Sequence, residues 1–239
     1  MKKFLLGVVM ALVATTASAV GPDIFNHLGL GVGVGLTGVT VEAATPITSF
    51  VQLRAGVSVM PGIKFNANTE VEYTMDGGNG SSDVDLKGNL KRLQGQAIFN
   101  VYPIPTSSFY IAAGAYFGGK ELVKITGHSD DLVGQPLNGG VVIGDYKIPA
   151  DKNGNISGGI KVNSFRPYFG IGIGRAVPGK LLSFNAELGV QIHGKPHLYS
   201  DYGELEEPNY PDDDDTFQKI MDKVRVYPNL TFRLCFRAF

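Results

Sequence analysis

Apolar residues alternate with polar residues or glycine along eight segments of the chain, clearly in four of them and more weakly in the other four. In the first segment, residues 28–36, every even position is Leu or Val and every odd position is Gly. A period of two is typical of a β-strand whose two faces meet different surroundings. The eight predicted strands are residues 28–36, 38–44, 51–59, 93–101, 109–117, 166–174, 182–193 and 230–237. The pattern predicts an all-β protein, and an even number of antiparallel strands can close into one barrel with both ends of the chain on the same side.

The connections between the predicted strands alternate between short and long. Proline or glycine marks three tight turns, at residues 45–48, 103–106 and 177–180, and a fourth short connection lies at residues 37–38. The long polar connections are residues 61–89, 121–164 and 194–224. Transmembrane β-barrels have this layout, with short periplasmic turns and long extracellular loops. We therefore predict a single antiparallel transmembrane β-barrel of eight strands with three long extracellular loops, and a barrel of ten strands as the alternative.

The first 19 residues have the features of a secretory signal peptide. Lys2 and Lys3 precede an apolar segment at residues 4–13, and Ala17-Ser18-Ala19 provides a cleavage site with small residues. The apolar segment is shorter than the roughly 20 residues that a membrane-spanning helix needs. We therefore expect residues 1–19 to be removed on export, which leaves residues 20–239 as the barrel domain.

The polar face of the predicted strands carries charged residues interspersed with glycine. Its charged members are Glu42, Arg54, Arg92, Glu187, Arg233 and Arg237. A soluble barrel would turn these side chains toward water, whereas a membrane barrel turns them into its lumen and turns its apolar face toward lipid. Glycine is difficult to explain on a solvent-facing surface, but a narrow lumen needs it to make room for Arg and Glu. We therefore predict a lumen filled by this polar network, with no wide aqueous pore.

The strand pattern also predicts individual positions within such a barrel. Glu42 and Arg54 lie symmetrically about the turn at residues 46–49, so we expect them to be cross-strand partners. The residues predicted to face lipid include Leu53, Val57, Leu188 and Val190.

The chain resembles the small outer-membrane β-barrel proteins of Gram-negative bacteria, of the OmpA-like and OmpW-like type. The resemblance rests on the N-terminal segment, the strands and turns, and a last strand that ends in phenylalanine, Leu230-Thr-Phe-Arg-Leu-Cys-Phe-Arg-Ala-Phe239. It implies that the barrel-assembly machinery reads Phe239, and that the folded barrel contacts outer-membrane lipid and lipopolysaccharide. Phe239 is out of phase with the apolar face of its strand, which a β-bulge near Ala238 would explain.

The resemblance implies a function only in broad terms. We expect a non-enzymatic outer-membrane protein whose long loops bind an external ligand or partner. A narrow channel or carrier for small hydrophobic solutes, as the OmpW-like resemblance permits, is the alternative. A lipid-modifying outer-membrane enzyme is a third possibility.

Composition narrows the classes of partner and site. The 21 basic and 22 acidic residues give a formal net charge of −1, without the basic surface that nucleic-acid binding needs. The one cysteine, Cys235, excludes an internal disulfide and a four-thiolate zinc site. Neither a cofactor nor a resident metal is predicted, and we expect a monomer.

Three motifs could carry chemistry, and each has a simpler interpretation. Residues 33–38 match G-x-G-x-x-G, but a β-like segment follows where a dinucleotide site needs a helix. Residues 151–155 resemble the start of a calcium loop but lack its glycine and its bidentate Glu, so we predict an Asn-Gly turn. A third motif, an acidic cluster, is interpreted as a solvated surface with weak cation binding left open, and it comprises Glu204, Glu206, Glu207, Asp212, Asp213, Asp214 and Asp215. Residues 216–223 are predicted to form a short helix.

Histidine and cysteine are the remaining candidates for catalysis. Only His27, His128, His193 and His197 could act as acid–base groups near neutral pH. His193 shares a strand face with Glu187, but six residues of strand separate them by about 20 Å, and no serine is placed beside it. Because these partners are missing, we predict that the chain is not an enzyme. Cys235 is interpreted as a small residue in the barrel wall rather than as an activated thiolate.

Overall fold

The computed structural model describes residues 25–75, 78–133, 140–143, 146–205 and 223–238. The predicted signal peptide, the acidic residues from Glu206 to Asp215, nearly all of the predicted helix at 216–223, and Phe239 lie outside the described residues. Within the described ranges no helix is long and apolar enough to cross a membrane, a finding that has no bearing on β-barrels.

All regular structure described in the chain consists of strands, numbered here in chain order. Eight strands form the barrel: β1 (Gly29–Gly35), β2 (Gly38–Thr48), β3 (Val51–Met60), β6 (Arg92–Val101), β7 (Phe109–Phe117), β12 (Phe165–Ile173), β13 (Leu182–Ile192) and β16 (Val226–Arg237). The others lie in the long connections: β4 (Lys64–Met75), β5 (Gly78–Asn89), β8 (Glu121–Val133), β9 (Gly140–Ile143), β10 (Tyr146–Pro149), β11 (Asn153–Lys161), β14 (His197–Ser200) and β15 (Gly203–Glu204).

The barrel is a closed antiparallel sheet in the order β1-β16-β13-β12-β7-β6-β3-β2. β1 pairs with both β2 and β16, and this last pairing joins the first strand to the last one and leaves no free edge. The eight strands are those predicted from the alternating pattern, so the predicted all-β eight-stranded barrel is confirmed and the ten-stranded alternative is wrong. Connections β2–β3, β6–β7 and β12–β13 define the turn end of the barrel, and the long connections define its loop end.

The two faces of the barrel wall differ sharply in polarity. The outer face is apolar, and it presents a row of paired residues, Ile111, Ile171, Leu188 and Leu230, on four successive strands. Leu188 is 56% exposed on this face. The inner face carries the buried polar side chains, so the arrangement of a water-soluble barrel is inverted. Of the positions predicted to face outward, Val57, Leu188 and Val190 are exposed, and Leu53 is half-buried.

The three long connections contain more structure than the polar loops that the sequence pattern indicated. They contribute a six-stranded sheet in the order β15-β14-β11-β8-β5-β4, and a separate hairpin of β9 and β10. We call the six-stranded sheet the extra-barrel sheet. A small apolar core joins it to the hairpin and is formed by Val84, Leu86, Ile148, Ala150 and Ile156. Alternation missed the longer of these strands because polar residues and glycine occupy most of their positions, and β9 and β10 have only four residues each.

Candidate functional site: the polar lumen

Four ionised side chains meet in the middle of the barrel lumen. Arg54 contacts Glu187 through Nη2, at 2.6 Å, and Glu42 through Nη1, at 3.1 Å. Arg233 contacts the same two carboxylates, Glu187 at 2.7 Å and Glu42 at 3.3 Å. Both arginines therefore touch both glutamates. We call these four residues the ionic cluster, and its formal net charge is zero.

Neutral groups add hydrogen bonds to the ionic cluster. The Tyr168 hydroxyl donates to Glu187 Oε1 at 2.6 Å, and the Tyr110 hydroxyl donates to Oε2 at 2.8 Å. Gln96 donates to Glu42 at 2.8 Å, while Arg54 Nε donates to the Asn100 side-chain oxygen at 3.0 Å. Burying charge is tolerated when the charges are paired. Glu42 Oε1 and Arg233 Nε have no hydrogen-bond partner, and they face each other as an ion pair at 3.3 Å.

The side chains of the ionic cluster are almost fully buried inside the barrel. Arg54 is 0% exposed and Glu187 is 1% exposed, so solvent hardly reaches either side chain. Buried tyrosines pack around them, and the Tyr116 and Tyr168 rings meet edge to face with centroids 5.3 Å apart. A lumen filled by its own side chains is typical of eight-stranded barrels.

Glycines on the inner face provide the space that these large side chains need. A Cβ atom added at Gly33 would lie 2.6 Å from Arg233 Cγ, and one at Gly31 would lie 2.9 Å from Glu42 Cγ. A Cβ atom at Gly189 would lie 2.3 Å from the Tyr168 hydroxyl oxygen. Real Cβ atoms do not approach other atoms so closely, so these inward positions must be glycine for the lumen to pack as it does.

Glu42 and Arg54 are in contact, but the expected direct cross-strand pairing is wrong. Glu42 lies opposite Gly56, and Arg54 lies opposite Ala44. The strands continue past the predicted turn at residues 46–49, and the turn lies between Thr48 and Val51. Because the turn comes later in the chain than predicted, Glu42 pairs two positions further along β3. The two side chains meet diagonally, which long side chains can do.

The loop end of the lumen holds a second group of basic side chains. Arg92, predicted to belong to the polar network, lies apart from the ionic cluster and stacks over the Tyr227 ring at 5.0 Å. Arg166, which the sequence analysis missed, is 1% exposed. It donates to the side-chain oxygens of Gln94, at 2.9 Å, and Gln191, at 3.2 Å. The signal for Arg166 was available, because it occupies an inward position of a predicted strand.

The turn end of the lumen opens into a pocket of about 670 Å³. Arg237 lies at its edge, where its guanidinium contacts the His27 ring at 3.0 Å and the Gly179 carbonyl oxygen at 3.4 Å. Arg237 is therefore also separate from the ionic cluster. Arg175, on the same side, donates to the Pro105 carbonyl oxygen and to the Ser107 carbonyl oxygen.

The structure also describes the G-x-G-x-x-G motif, Cys235 and His128. At residues 33–38, β1 ends and β2 begins after a tight connection, so the helix of a dinucleotide site is absent there. Cys235 is buried in the barrel wall between Gly31 and Ser183. His128 contacts Asn155 and Asp130, at 3.0 and 3.1 Å, and the described residues contain no group of three potential metal ligands of the His, Cys, Asp or Glu type.

The predicted Asn-Gly turn is present where β11 begins. Gly154 has a φ of +72°, and its amide donates to the Asp151 carbonyl oxygen at 3.0 Å. The Asp151 carboxylate accepts hydrogen bonds from the backbone amides of Asn153 and Asn155, each at 2.8 Å. Hydrogen bonds from the side chain and backbone of Asn155 are the main reason that the pKa of Asp151 lies below its usual value.

Comparison with known proteins supports the fold. No protein-family model matches the chain, and no curated protein matches it. The crystal structure of Acinetobacter baumannii CarO2 matches with a TM-score of 0.52 and 20% sequence identity, over 90% of this chain and 100% of that chain. The crystal structure of Acinetobacter baumannii CarO matches with a TM-score of 0.48 and 18% identity, over 87% of this chain and 96% of that chain. At this level of identity, the likeness to CarO2 indicates a shared fold.

Proposed function

We propose that this chain is an integral outer-membrane β-barrel protein whose lumen is closed. The observation that carries the proposal is the inverted polarity of the barrel, with a continuous apolar exterior and the ionic cluster sealed inside. An exterior of this kind is unfavourable in water, because contiguous apolar surface of this extent is rare on soluble proteins. It suits the acyl chains of a bilayer, which an eight-stranded barrel crosses without unpaired backbone groups.

We infer that the function resides at the loop end rather than in the lumen. The ionic cluster blocks the lumen, whereas all three long connections are combined in the extra-barrel sheet. Such a sheet presents a fixed surface outside the membrane, which suits binding to an external ligand or partner. On this proposal the chain is a non-enzymatic monomer that does not bind nucleic acid. Its other contacts are outer-membrane lipid, lipopolysaccharide and, through Phe239, the barrel-assembly machinery.

Protease treatment of intact cells tests the location and the orientation together. Protease added outside the cells is expected to cut within residues 194–224 and to leave the turn at residues 103–105 intact. Cleavage at the turn, with the long connection protected, would contradict the proposed orientation. The matched control is the same treatment after the cells are opened, when both segments become accessible.

A narrow channel is the second candidate function. It is favoured by the polar groups that line the barrel on both sides of the ionic cluster, from Arg166 near the loop end to the pocket near Arg237. Conduction would require the cluster to open. Recordings of the purified protein in planar bilayers distinguish the two functions: a closed barrel gives no discrete current steps, whereas reproducible steps would favour the channel.

A further inference from the structure

A basic groove lies where the barrel meets the extra-barrel sheet. Its volume is about 320 Å³, and its charged lining consists of Lys91, Arg92, Lys120, Glu121 and Lys161. Lys91 precedes β6, where Arg92 is the first residue, while Lys120 lies between β7 and β8, and Lys161 ends β11. Three separate parts of the chain thus bring four cationic side chains and one carboxylate to the same groove.

The charges of the basic groove are not neutralised within the described parts of the chain. The Glu121 carboxylate accepts a hydrogen bond from the Tyr199 hydroxyl at 3.0 Å and forms no ion pair with the lysines described here. Lys161 lies over the Tyr199 ring, with its ammonium nitrogen 3.6 Å from the ring centre. A cation–π contact of this kind holds the ammonium in place while leaving its positive charge uncompensated. The excess of positive charge makes the groove complementary to an anion.

The surroundings of the basic groove indicate what kind of anion it fits. Leu93, which also lines the groove, is 62% exposed on the apolar exterior. Phe117 and Phe165, at the loop ends of their strands, are 44% and 56% exposed, and their rings lie 5.6 Å apart. A ligand with a negative headgroup and an apolar tail can therefore contact both surfaces at once, whereas a free inorganic anion would use only the lysines.

We propose that the basic groove binds the phosphate group of a phosphorylated lipid in the leaflet that surrounds the loop end of the barrel. The acyl chains of this lipid lie against Leu93, Phe117 and Phe165. The inference rests on the proposed membrane location and adds a specific lipid class to it. Basic side chains near a membrane surface each favour anionic lipid by about fivefold.

Fluorescence quenching by brominated lipids tests the basic groove directly. The chain has no tryptophan, so Phe117→Trp introduces a single reporter beside the groove. The protein is reconstituted in phosphatidylcholine vesicles that contain either phosphatidic acid or phosphatidylcholine with brominated acyl chains. We expect brominated phosphatidic acid to quench at a mole fraction at least about tenfold lower than brominated phosphatidylcholine. Inorganic phosphate is expected to compete only weakly, because it lacks the acyl chains.

Two charge-matched variants show whether the preference belongs to the groove. Replacing Lys91, Lys120 and Lys161 by Gln should make the two brominated lipids equivalent. The control replaces three exposed lysines outside the basic groove, in the variants Lys87→Gln, Lys124→Gln and Lys152→Gln, and should keep the preference.

The possible failures have different meanings. Equal quenching of the parent protein by both lipids would overturn the lipid-phosphate site while leaving the membrane barrel intact. Quenching by neither lipid would overturn the membrane location itself. A preference that the control variant loses as completely as the groove variant would show a general charge effect and would also overturn the site. If the groove variant fails to fold, the parent protein still decides the question. Salt weakens binding at an electrostatic site, so the parent protein must lose its preference for phosphatidic acid in high salt.

Discussion

The ionic cluster makes a quantitative prediction about the buried charge of Arg54. In the variant Arg54→Met the aliphatic part of the side chain remains, but Glu187 loses its contact at 2.6 Å and Glu42 loses its contact at 3.1 Å. The cluster then has two carboxylates for one guanidinium, so its formal charge changes from zero to −1. Removing one partner of a buried ion pair typically costs about 3–5 kcal/mol, because the remaining charge is uncompensated in a medium of low polarity.

Urea unfolding in lipid vesicles, followed by circular dichroism, measures this cost. Lys152→Ala, at an exposed position of the β10–β11 turn, is the control and should change the free energy of unfolding by about 0.5 kcal/mol or less. The double variant Arg54→Met/Glu42→Gln restores a neutral cluster, so it should be more stable than the sum of its single variants indicates, by about 0.5–3 kcal/mol. Equal stability of Arg54→Met and Lys152→Ala, or strict additivity in the double variant, would refute the reasoning.

Three further predictions concern the exterior, the lumen and the extra-barrel turn. Leu188→Arg, near the middle of β13 on the exterior, should lower the free energy of unfolding in vesicles by about 2–4 kcal/mol. Leu93→Arg, at the loop end, should lower it by only about 0–1 kcal/mol. Equal losses of stability would argue against a bilayer around the barrel. Gly189→Ala forces a Cβ atom against the buried Tyr168 hydroxyl, so it should lower the free energy of urea unfolding by about 1–3 kcal/mol. Gly179→Ala should leave that free energy unchanged, because no atom lies within 4 Å of the added Cβ. Hydrogen bonds lower the pKa of Asp151, so they stabilise the turn at neutral pH and are lost only as the pH falls through that lowered pKa. A carbon-13 NMR titration of Asp151 should therefore give a midpoint below about 3.9. A midpoint at or above this value would count against those hydrogen bonds.

The barrel strands could be predicted from the sequence because each has an apolar outer face and a polar inner face. That asymmetry forces every second residue to be apolar, and glycine on the opposite face marks a crowded interior. The same reasoning placed Glu42, Arg54, Glu187 and Arg233 on the inner face, where the structure brings them into contact.

Position along the barrel axis could not be predicted in the same way. Alternation assigns a residue to a face but not to a height, so it did not distinguish the ionic cluster from Arg92 at the loop end or Arg237 at the turn end. Height depends on strand register, and a turn between Thr48 and Val51, later in the chain than predicted, was enough to shift the pairing of Glu42 and Arg54.

The extra-barrel sheet was missed for a different physical reason. The pattern of apolar residues detects strands only where many positions are buried or face lipid. β5, for example, has the sequence GNGSSDVDLKGN, in which Val84 and Leu86 are the apolar residues. These two residues pack into the small core that joins the sheet to the hairpin, and they are too few to distinguish a strand from a polar loop.

The direction in which the apolar face points is the central claim, and spin labelling of the reconstituted protein tests it most directly. Nitroxide labels are attached to cysteines at Ile171 and Leu188, neighbours on β12 and β13, in a Cys235→Ser background, with Lys152 as the water-exposed reference. We predict that lipid-soluble oxygen relaxes the labels at Ile171 and Leu188 strongly, that a water-soluble nickel complex hardly affects them, and that Lys152 shows the reverse. Strong relaxation by the nickel complex at Ile171 and Leu188 would place the apolar face in water and contradict the membrane barrel.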